Sequence, residues 1–191
     1  MDWTTAALVG YNNAGKSTLL NRLARASLEA EDRLFSTLDT TVRRLRTARG
    51  MRILVSDTVG FIRRLPPQLV EAFRATLEEL QEADLLLHVV DVSHPQAEQQ
   101  VSSVNRTLEE LGLAHKPMLY VLNKIDLLED RGALRRWSWR VERAVAVSAR
   151  TGEGMEGLVR AIEEVAQQAL EPLRLRLPLH RSDLLGRLHQ D

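Results

Sequence analysis

Four residues near the start of the chain have the types and the spacing of a phosphate-binding loop. Gly10, Gly15, Lys16 and Ser17 fit the pattern G-x-x-x-x-G-K-[ST] between an apolar run and a stretch of helical periodicity. The glycines let backbone N–H groups surround phosphates, Lys16 can reach the β- and γ-phosphates in catalysis, and Ser17 can bind Mg²⁺. The sequence therefore predicts a nucleotide-binding loop that consists of Gly10, Asn12, Asn13, Ala14, Gly15, Lys16, Ser17 and Thr18.

A second group of residues, Asp57-Thr58-Val59-Gly60, ends another apolar run. Asp57 would hold the same Mg²⁺ through a water molecule, and Gly60 would let the backbone approach a γ-phosphate. An ordinary turn at the end of a strand is the alternative interpretation, since aspartate and glycine are common in turns. The next residue is Phe61, which cannot orient the attacking water as a glutamine at that place would.

A third and a fourth group indicate which base the nucleotide carries. In Asn123-Lys124-Ile125-Asp126, the Asp126 carboxylate can accept hydrogen bonds from the N1–H and the exocyclic amine of guanine, whereas adenine presents a mismatched edge. The stem of Lys124 can lie over the base plane. Ser148 and Ala149 follow the last apolar run and would support the base through the backbone. In this order, the four groups predict that GTP and GDP are the ligands.

These groups require strands whose carboxyl ends meet, and the pattern of apolar residues predicts such strands. They lie at 6–10, 41–48, 51–57, 84–92, 117–123 and 143–149, and helices are predicted between most of them. Alternating strands and helices are typical of a doubly wound sheet. We therefore expect an α/β P-loop NTPase fold of the small G-protein type. Its mainly parallel six-stranded sheet would have residues 41–48 as an antiparallel edge strand.

The composition excludes several other classes of protein. The 191 residues are enough for one domain with a sizeable core, and 26 basic residues balance 26 acidic ones. Without cysteine, the chain cannot form a disulfide, a thiolate–zinc site or a cysteine nucleophile. The sequence shows no apolar run of membrane-spanning length and no signal-peptide pattern, so a soluble, cytoplasmic monomer is expected.

The stretches around these residues resemble the GTPase domain of the HflX family of ribosome-associated translational GTPases. The similar stretches run in order from residue 6 to about residue 170 and include ALVGYNNAGKSTLLNRL, DTVGFIRRLPPQLVEAFRATLEE, ADLLLHVVDVSHP and VSARTGEG. The resemblance implies a GTP-binding domain over 1–171, followed at 172–191 by a tail or the start of a C-terminal subdomain. It also implies that the large N-terminal domain of the family is missing from this chain.

The same resemblance assigns a switch threonine and a partner. Thr41 would act in catalysis with Lys16 and Gly60, and it would bind Mg²⁺ together with Ser17 and Asp57. The implied partner is the large ribosomal subunit with its RNA.

Two functions stay open. One is a GTPase that is slow alone, is stimulated by that subunit and acts in ribosome splitting or rescue. The other is a GTP-dependent binding module for RNA or ribosome assembly with negligible turnover.

Several further residues are candidates for function. Asn13 occupies the position that supplies an amide oxygen to K⁺ in potassium-activated GTPases, so K⁺ is a possible second cofactor. His88 interrupts an apolar strand and is interpreted as a hydrogen-bonded core residue rather than a base. Arginine clusters could contact RNA phosphates, although such clusters are usually solvated: Arg43-Arg44-Arg46, Arg63-Arg64 and Arg135-Arg136.

Overall fold

The computed structural model describes residues 3–26, 42–57 and 78–169, which form a sheet with helices on both faces. Within these residues the strands are β1 (Thr4–Gly10), β2 (Val42–Arg46), β3 (Arg52–Asp57), β4 (Leu85–Asp91), β5 (Met118–Asn123) and β6 (Ala144–Ala146). The helices are α1 (Lys16–Ala26), α2 (Ala97–Glu110), α3 (Arg135–Ser138) and α4 (Met155–Ala169). Residues 78–82 are also helical, and two 3₁₀ turns lie at Ile125–Leu127 and Arg131–Leu134.

The sheet has six strands in the order β2-β3-β1-β4-β5-β6. β2 runs antiparallel to β3 at the edge, and the other neighbours are parallel. The β2–β3 connection is a tight turn in which Gly50 has a φ of 84° and its N–H donates to the Thr47 carbonyl at 2.9 Å. The predicted fold class, including the antiparallel edge strand, is confirmed.

Successive side chains along β1 belong to opposite faces of the sheet. Ala6 and Leu8 belong to the core cluster that contains the apolar residues of α1 and α4. Ala7 and Val9 belong to the cluster on the opposite face, with residues of α2. Burying one large aliphatic side chain stabilises the fold by roughly 1.5–3 kcal/mol, so the fully buried Leu8 anchors the strand that ends in the phosphate loop.

The last strand is shorter than the predicted segment 143–149. Only Ala144–Ala146 pair as a strand, because the Ser148 N–H donates to the carbonyl of Glu153 at 2.9 Å and the chain turns there. This turn places Ser148 and Ala149 in a loop at the carboxyl edge of the sheet. Both residues therefore lie after the last strand rather than within it, which is the position that the functional assignment requires.

His88 in the fourth strand and the tryptophans Trp137 and Trp139 have different environments. His88 is 1% exposed and lies against Tyr120, with ring centroids 5.0 Å apart. It is a core residue as predicted, but its Nδ1 has no hydrogen-bond partner among the described residues, so the expectation of a hydrogen-bonded histidine is wrong for that atom. Trp137 is buried beside Leu122, whereas Trp139 is 90% exposed.

Some predictions concern residues outside those described. They are the switch residues Thr41 and Gly60, the neighbouring Phe61, the Arg63-Arg64 cluster and the division of the chain at residue 171. These assignments remain predictions. Among the described residues, no helix has the length and apolar character that crossing a membrane requires.

Candidate functional site

The phosphate loop joins the end of β1 to the start of α1, and its two glycines are structurally required. Gly10 has a φ of 152°, and a Cβ there would lie 2.4 Å from the carbonyl oxygen of Val89. Gly15 has a φ of 95°, and a Cβ there would lie 2.4 Å from Nδ2 of Asn123. Both positions therefore exclude any side chain, which keeps the loop backbone close to β4 and β5. Asn13 also has a positive φ, of 60°.

Lys16 is held inside this loop by backbone carbonyls. Its ammonium donates to the carbonyl oxygens of Gly10 and Tyr11, each at 3.3 Å, and the residue is 7% exposed. Burial lowers the pKa of Lys16, and the charge of Asp57 opposes that effect. A buried cation that carbonyl dipoles only partly compensate favours a nearby anion. The loop is thus suited to phosphate.

Ser17 and Asp57 meet beside Lys16 and form the group that could hold a metal ion. The Ser17 hydroxyl donates to Oδ2 of Asp57 at 2.5 Å, although 40 residues separate them in sequence. The pairing of β1 with β3, with Leu8 opposite Asp57, brings them together. Oδ1 of Asp57 is buried and has no hydrogen-bond partner within the part of the chain that the structure describes. A hydroxyl and a carboxylate with an unpaired oxygen are the hard oxygen donors that Mg²⁺ prefers, so these residues fit the predicted ion.

Seven of the predicted phosphate and metal residues line one cleft of about 400 Å³, whereas Gly10 and Ala14 are not on its walls. The residues on its walls are Asn12, Asn13, Gly15, Lys16, Ser17, Thr18, Asp57 and Lys124. Lys124 comes from the base-binding group, which shows that the first three sequence groups converge on the same space. The volume of this cleft is within the range of small-ligand sites, and its polar lining suits a charged ligand.

Asn123 acts as a brace between the two loops of the site. Its Nδ2 donates to the carbonyl of Ala14 at 2.9 Å, and its Oδ1 accepts from the N–H of Ala149 at 3.0 Å. The side chain therefore ties the phosphate loop to the loop after β6. Asn123 was predicted as a ligand-binding residue, and the structure gives it this positioning role through the protein itself.

Asp126 is an ionised acceptor at the edge of the site. Its Oδ1 accepts from the hydroxyl of Ser148 at 2.6 Å, and its Oδ2 pairs with Arg150 at 2.8 Å. The hydrogen bond from Ser148, helped by the charge of Arg150, holds the pKa of Asp126 below its usual value, although burial opposes this. Ser148 was expected to act through its backbone, but its side chain is what contacts the predicted base-reading carboxylate.

Two residues that were not assigned from the sequence support these loops. Asp91, at the end of β4, pairs with the ammonium of Lys124 at 2.6 Å. Arg22, in α1, donates from Nε to the carbonyl of Ala149 at 3.0 Å and from a second nitrogen to the carbonyl of Arg150. The acidic end of the run LLLHVVD was a usable signal for Asp91, since strand ends carry sites in such sheets. No sequence signal distinguished Arg22 from other helix arginines.

Comparison with known proteins gives two kinds of relatives. Residues 5–124 match the family described as 50S ribosome-binding GTPase. The protein named GTPase HflX of Magnetococcus marinus is 52% identical over 187 residues, which cover 98% of this chain and 43% of that protein. The GTPase HflX of Escherichia coli is 44% identical over 190 residues, covering 99% and 45%. The chain therefore spans less than half of the length of either relative.

A solved structure with a similar fold comes from an archaeon. A GTP-binding protein of Sulfolobus solfataricus in complex with GDP superposes with a TM-score of 0.71 at 29% sequence identity. The match covers 87% of this chain and 53% of that protein. The similarity thus includes a protein that binds GDP on the same sheet architecture.

Proposed function

Because this chain belongs to the family of 50S ribosome-binding GTPases and is a GTPase domain of the HflX type, we propose that it acts on the large ribosomal subunit. With GTP bound, it would engage the subunit and its RNA during ribosome splitting or rescue. Hydrolysis to GDP and phosphate would end that contact. The reaction would take place in the cytoplasm, where ribosomes are.

The observation that carries GTP hydrolysis in this proposal is that Lys16, Ser17 and Asp57 line the same cleft, with Ser17 hydrogen-bonded to Asp57. The Lys16 ammonium would neutralise charge on the β- and γ-phosphates as the bond between them breaks. Ser17 would hold Mg²⁺ directly and Asp57 through water, together with Thr41 as the resemblance implies. When bound, Mg²⁺ supplies positive charge to the phosphate oxygens.

The base would be read by the carboxylate that Ser148 and Arg150 contact. Both oxygens of Asp126 can accept hydrogen bonds, and a low pKa keeps them ionised near neutral pH. Guanine offers an N–H and an amine at matching positions. Its amine would take the place of the exposed Arg150 guanidinium on Oδ2, while the short Ser148 hydrogen bond can persist.

The residue after Gly60 supports slow hydrolysis by the chain alone. Phe61 has no group that orients water, so the attack step would be poorly organised even when GTP is tightly bound. Contacts of the ribosomal partner that act on Thr41 and Gly60 would contribute about 3–5 kcal/mol of transition-state stabilisation. Such a contribution raises the rate by about 10²–10⁴.

Base specificity is tested by replacing Asp126 with asparagine. Asp126→Asn should lose affinity for GTP and gain affinity for XTP, because the exocyclic oxygen of xanthine requires a donor. Each unpaired polar group should cost on the order of 1–3 kcal/mol. Asp130→Asn is a matched control, since Asp130 is an exposed residue whose side chain accepts a hydrogen bond from the N–H of Gly132. An unchanged preference for GTP over XTP in a titration removes Asp126 from the site.

Ribosome coupling is tested by single-turnover GTP hydrolysis with purified large subunits, and with small subunits as the control. The proposal expects slow hydrolysis alone and a large acceleration by large subunits only. GTP-dependent binding to large subunits without acceleration would favour the binding-module alternative. If large subunits neither bind the protein nor accelerate hydrolysis, the ribosomal role is refuted. Fast hydrolysis by the chain alone would refute the need for a partner.

A further inference from the structure

The ammonium of Lys124 is fixed by a carboxylate from a neighbouring strand. Lys124 Nζ donates to Oδ2 of Asp91 at 2.6 Å, and the two side chains are 29% and 13% exposed. Asp91 and Asn123 lie opposite each other in the pairing of β4 with β5. The sheet register therefore places the carboxylate next to the residue that precedes Lys124.

The carboxylate is itself held from behind. Oδ1 of Asp91 accepts from both the N–H and the hydroxyl of Ser93, at 3.1 and 2.6 Å. Burial alone would raise the pKa of Asp91, but the hydrogen bonds from Lys124 and Ser93 bring it below its usual value. Asp91 is thus an ionised group with both oxygens engaged, and its orientation is determined before any ligand binds.

The backbone and the stem of Lys124 are also constrained. Lys124 has a φ of 67° and a ψ of 33°, a left-handed conformation that costs a non-glycine residue free energy. Its Cε lies 4.0 Å from the place where a Cβ on Gly15 would be. The methylene stem therefore runs beside the phosphate loop, along the wall of the cleft, on its way to Asp91.

We infer that Asp91 is a positioning residue for base binding, because it holds the ammonium of Lys124 so that the apolar stem forms one wall of the guanine pocket. This inference rests on the proposed guanine site. A freely rotating lysine would lose rotamer freedom whenever a base packed on its stem. Asp91 and Ser93 impose that order in advance, which favours binding and slows nucleotide release.

A contact on the face of the base does not depend on the exocyclic groups, whereas a contact on its edge does. Comparing GDP with IDP therefore tests which contact Asp91 supports. Asp91→Asn removes the charge but keeps the shape, so Lys124 should lose its anchor. Affinities for GDP and for IDP, which lacks the exocyclic amine, should both fall by roughly tenfold, leaving their ratio unchanged. The affinity for inorganic pyrophosphate should stay the same, because the phosphate loop is not altered.

A double-mutant cycle separates positioning from a general structural role. Lys124→Met keeps an apolar stem without the ammonium, so Asp91→Asn should cause no further loss of GDP affinity in that background. Asp84→Asn is the matched control at the other end of β4, where Asp84 accepts from the Thr5 N–H at 2.7 Å. This control should leave all three affinities unchanged, and thermal melting should confirm that each variant is folded.

The results distinguish failure of this inference from failure of the proposed site. The inference is wrong if Asp91→Asn leaves GDP affinity unchanged, if it lowers pyrophosphate affinity equally, or if its effect persists in the Lys124→Met background. Those results would leave the guanine site in place, provided that Asp126→Asn still changes the nucleotide preference from GTP to XTP. If Asp126→Asn does not change the preference from GTP to XTP, the proposed site itself is refuted.

Discussion

The buried histidine of β4 should make the stability of the protein depend on pH. His88 has its pKa lowered from 6.5 to about 3, first by burial and further by the charge of Lys16, while the Asn105 side chain opposes the shift. In the unfolded chain the imidazole takes up a proton as the pH falls through 6.5, whereas in the folded protein it stays neutral. The unfolded state then binds more protons, so the free energy of unfolding falls as the pH falls from 6.5 towards 3.

The magnitude follows from the two pKa values. With 6.5 for the unfolded and about 3 for the folded state, His88 lowers the free energy of unfolding by about 1 kcal/mol at pH 6 and about 2 kcal/mol at pH 5. His88→Phe and His88→Gln do not titrate in this range. Between about pH 7.5 and about pH 5, the free energy of unfolding of each variant should therefore fall by about 2 kcal/mol less than that of the original protein. Other titrating groups are common to all three proteins and cancel in the difference.

Urea denaturation of the nucleotide-free protein at several pH values measures this difference. His115→Asn, a replacement of an exposed histidine, is the matched control and should follow the original protein. Two substitutions are used because phenylalanine retains the ring beside Tyr120, whereas glutamine can hydrogen-bond to Asn105. If the original protein and both His88 variants lose the same stability between the two pH values, the imidazole is not held neutral in the core.

Three further predictions concern the site. Lys16→Ala should weaken GTP binding with or without magnesium, whereas Ser17→Ala should chiefly weaken binding in the presence of magnesium; calorimetry that finds both normal would refute the phosphate loop. Arg22→Ala should reduce GDP affinity roughly fivefold, about 1 kcal/mol, because it releases the loop after β6, and the exposed Arg160→Ala is its control. If Asn13 helps to hold K⁺, hydrolysis should be faster in KCl than in NaCl at equal ionic strength, and equal rates would count against this ion.

The phosphate loop and the sheet could be predicted because their signals are local. The loop residues Gly10 to Ser17 are contiguous, so their spacing survives any arrangement of the rest of the chain. The run of β4, which is apolar except for His88 and its last residue, is typical of a strand covered on both faces, and its residues are buried from Leu85 to Val90. The bounds were less accurate: β6 ends early because backbone hydrogen bonds of the following loop compete with the sheet.

The supporting residues could not be predicted because their partners are distant in sequence. Asp91 and Lys124 are 33 residues apart, and Arg22 and Ala149 are 127 apart. Only the strand order, with β4 beside β5 and α1 packed towards the loop after β6, makes these pairs neighbours. For Asn123, the residue type predicted that the side chain forms hydrogen bonds, but it did not predict which groups would be its partners.

The β2–β3 hairpin places a physical constraint on how a partner could act on the site. Its turn is attached to α4, because the Thr47 hydroxyl donates to Oε1 of the buried Glu163 at 2.6 Å and accepts from the Met51 N–H at 3.1 Å. Breaking this contact would leave a buried carboxylate without its hydroxyl donor, which is costly. Sliding of the hairpin as a unit is therefore disfavoured. The hairpin thus keeps β3 in place against such an action, with Asp57 paired with Ser17 at the end of that strand.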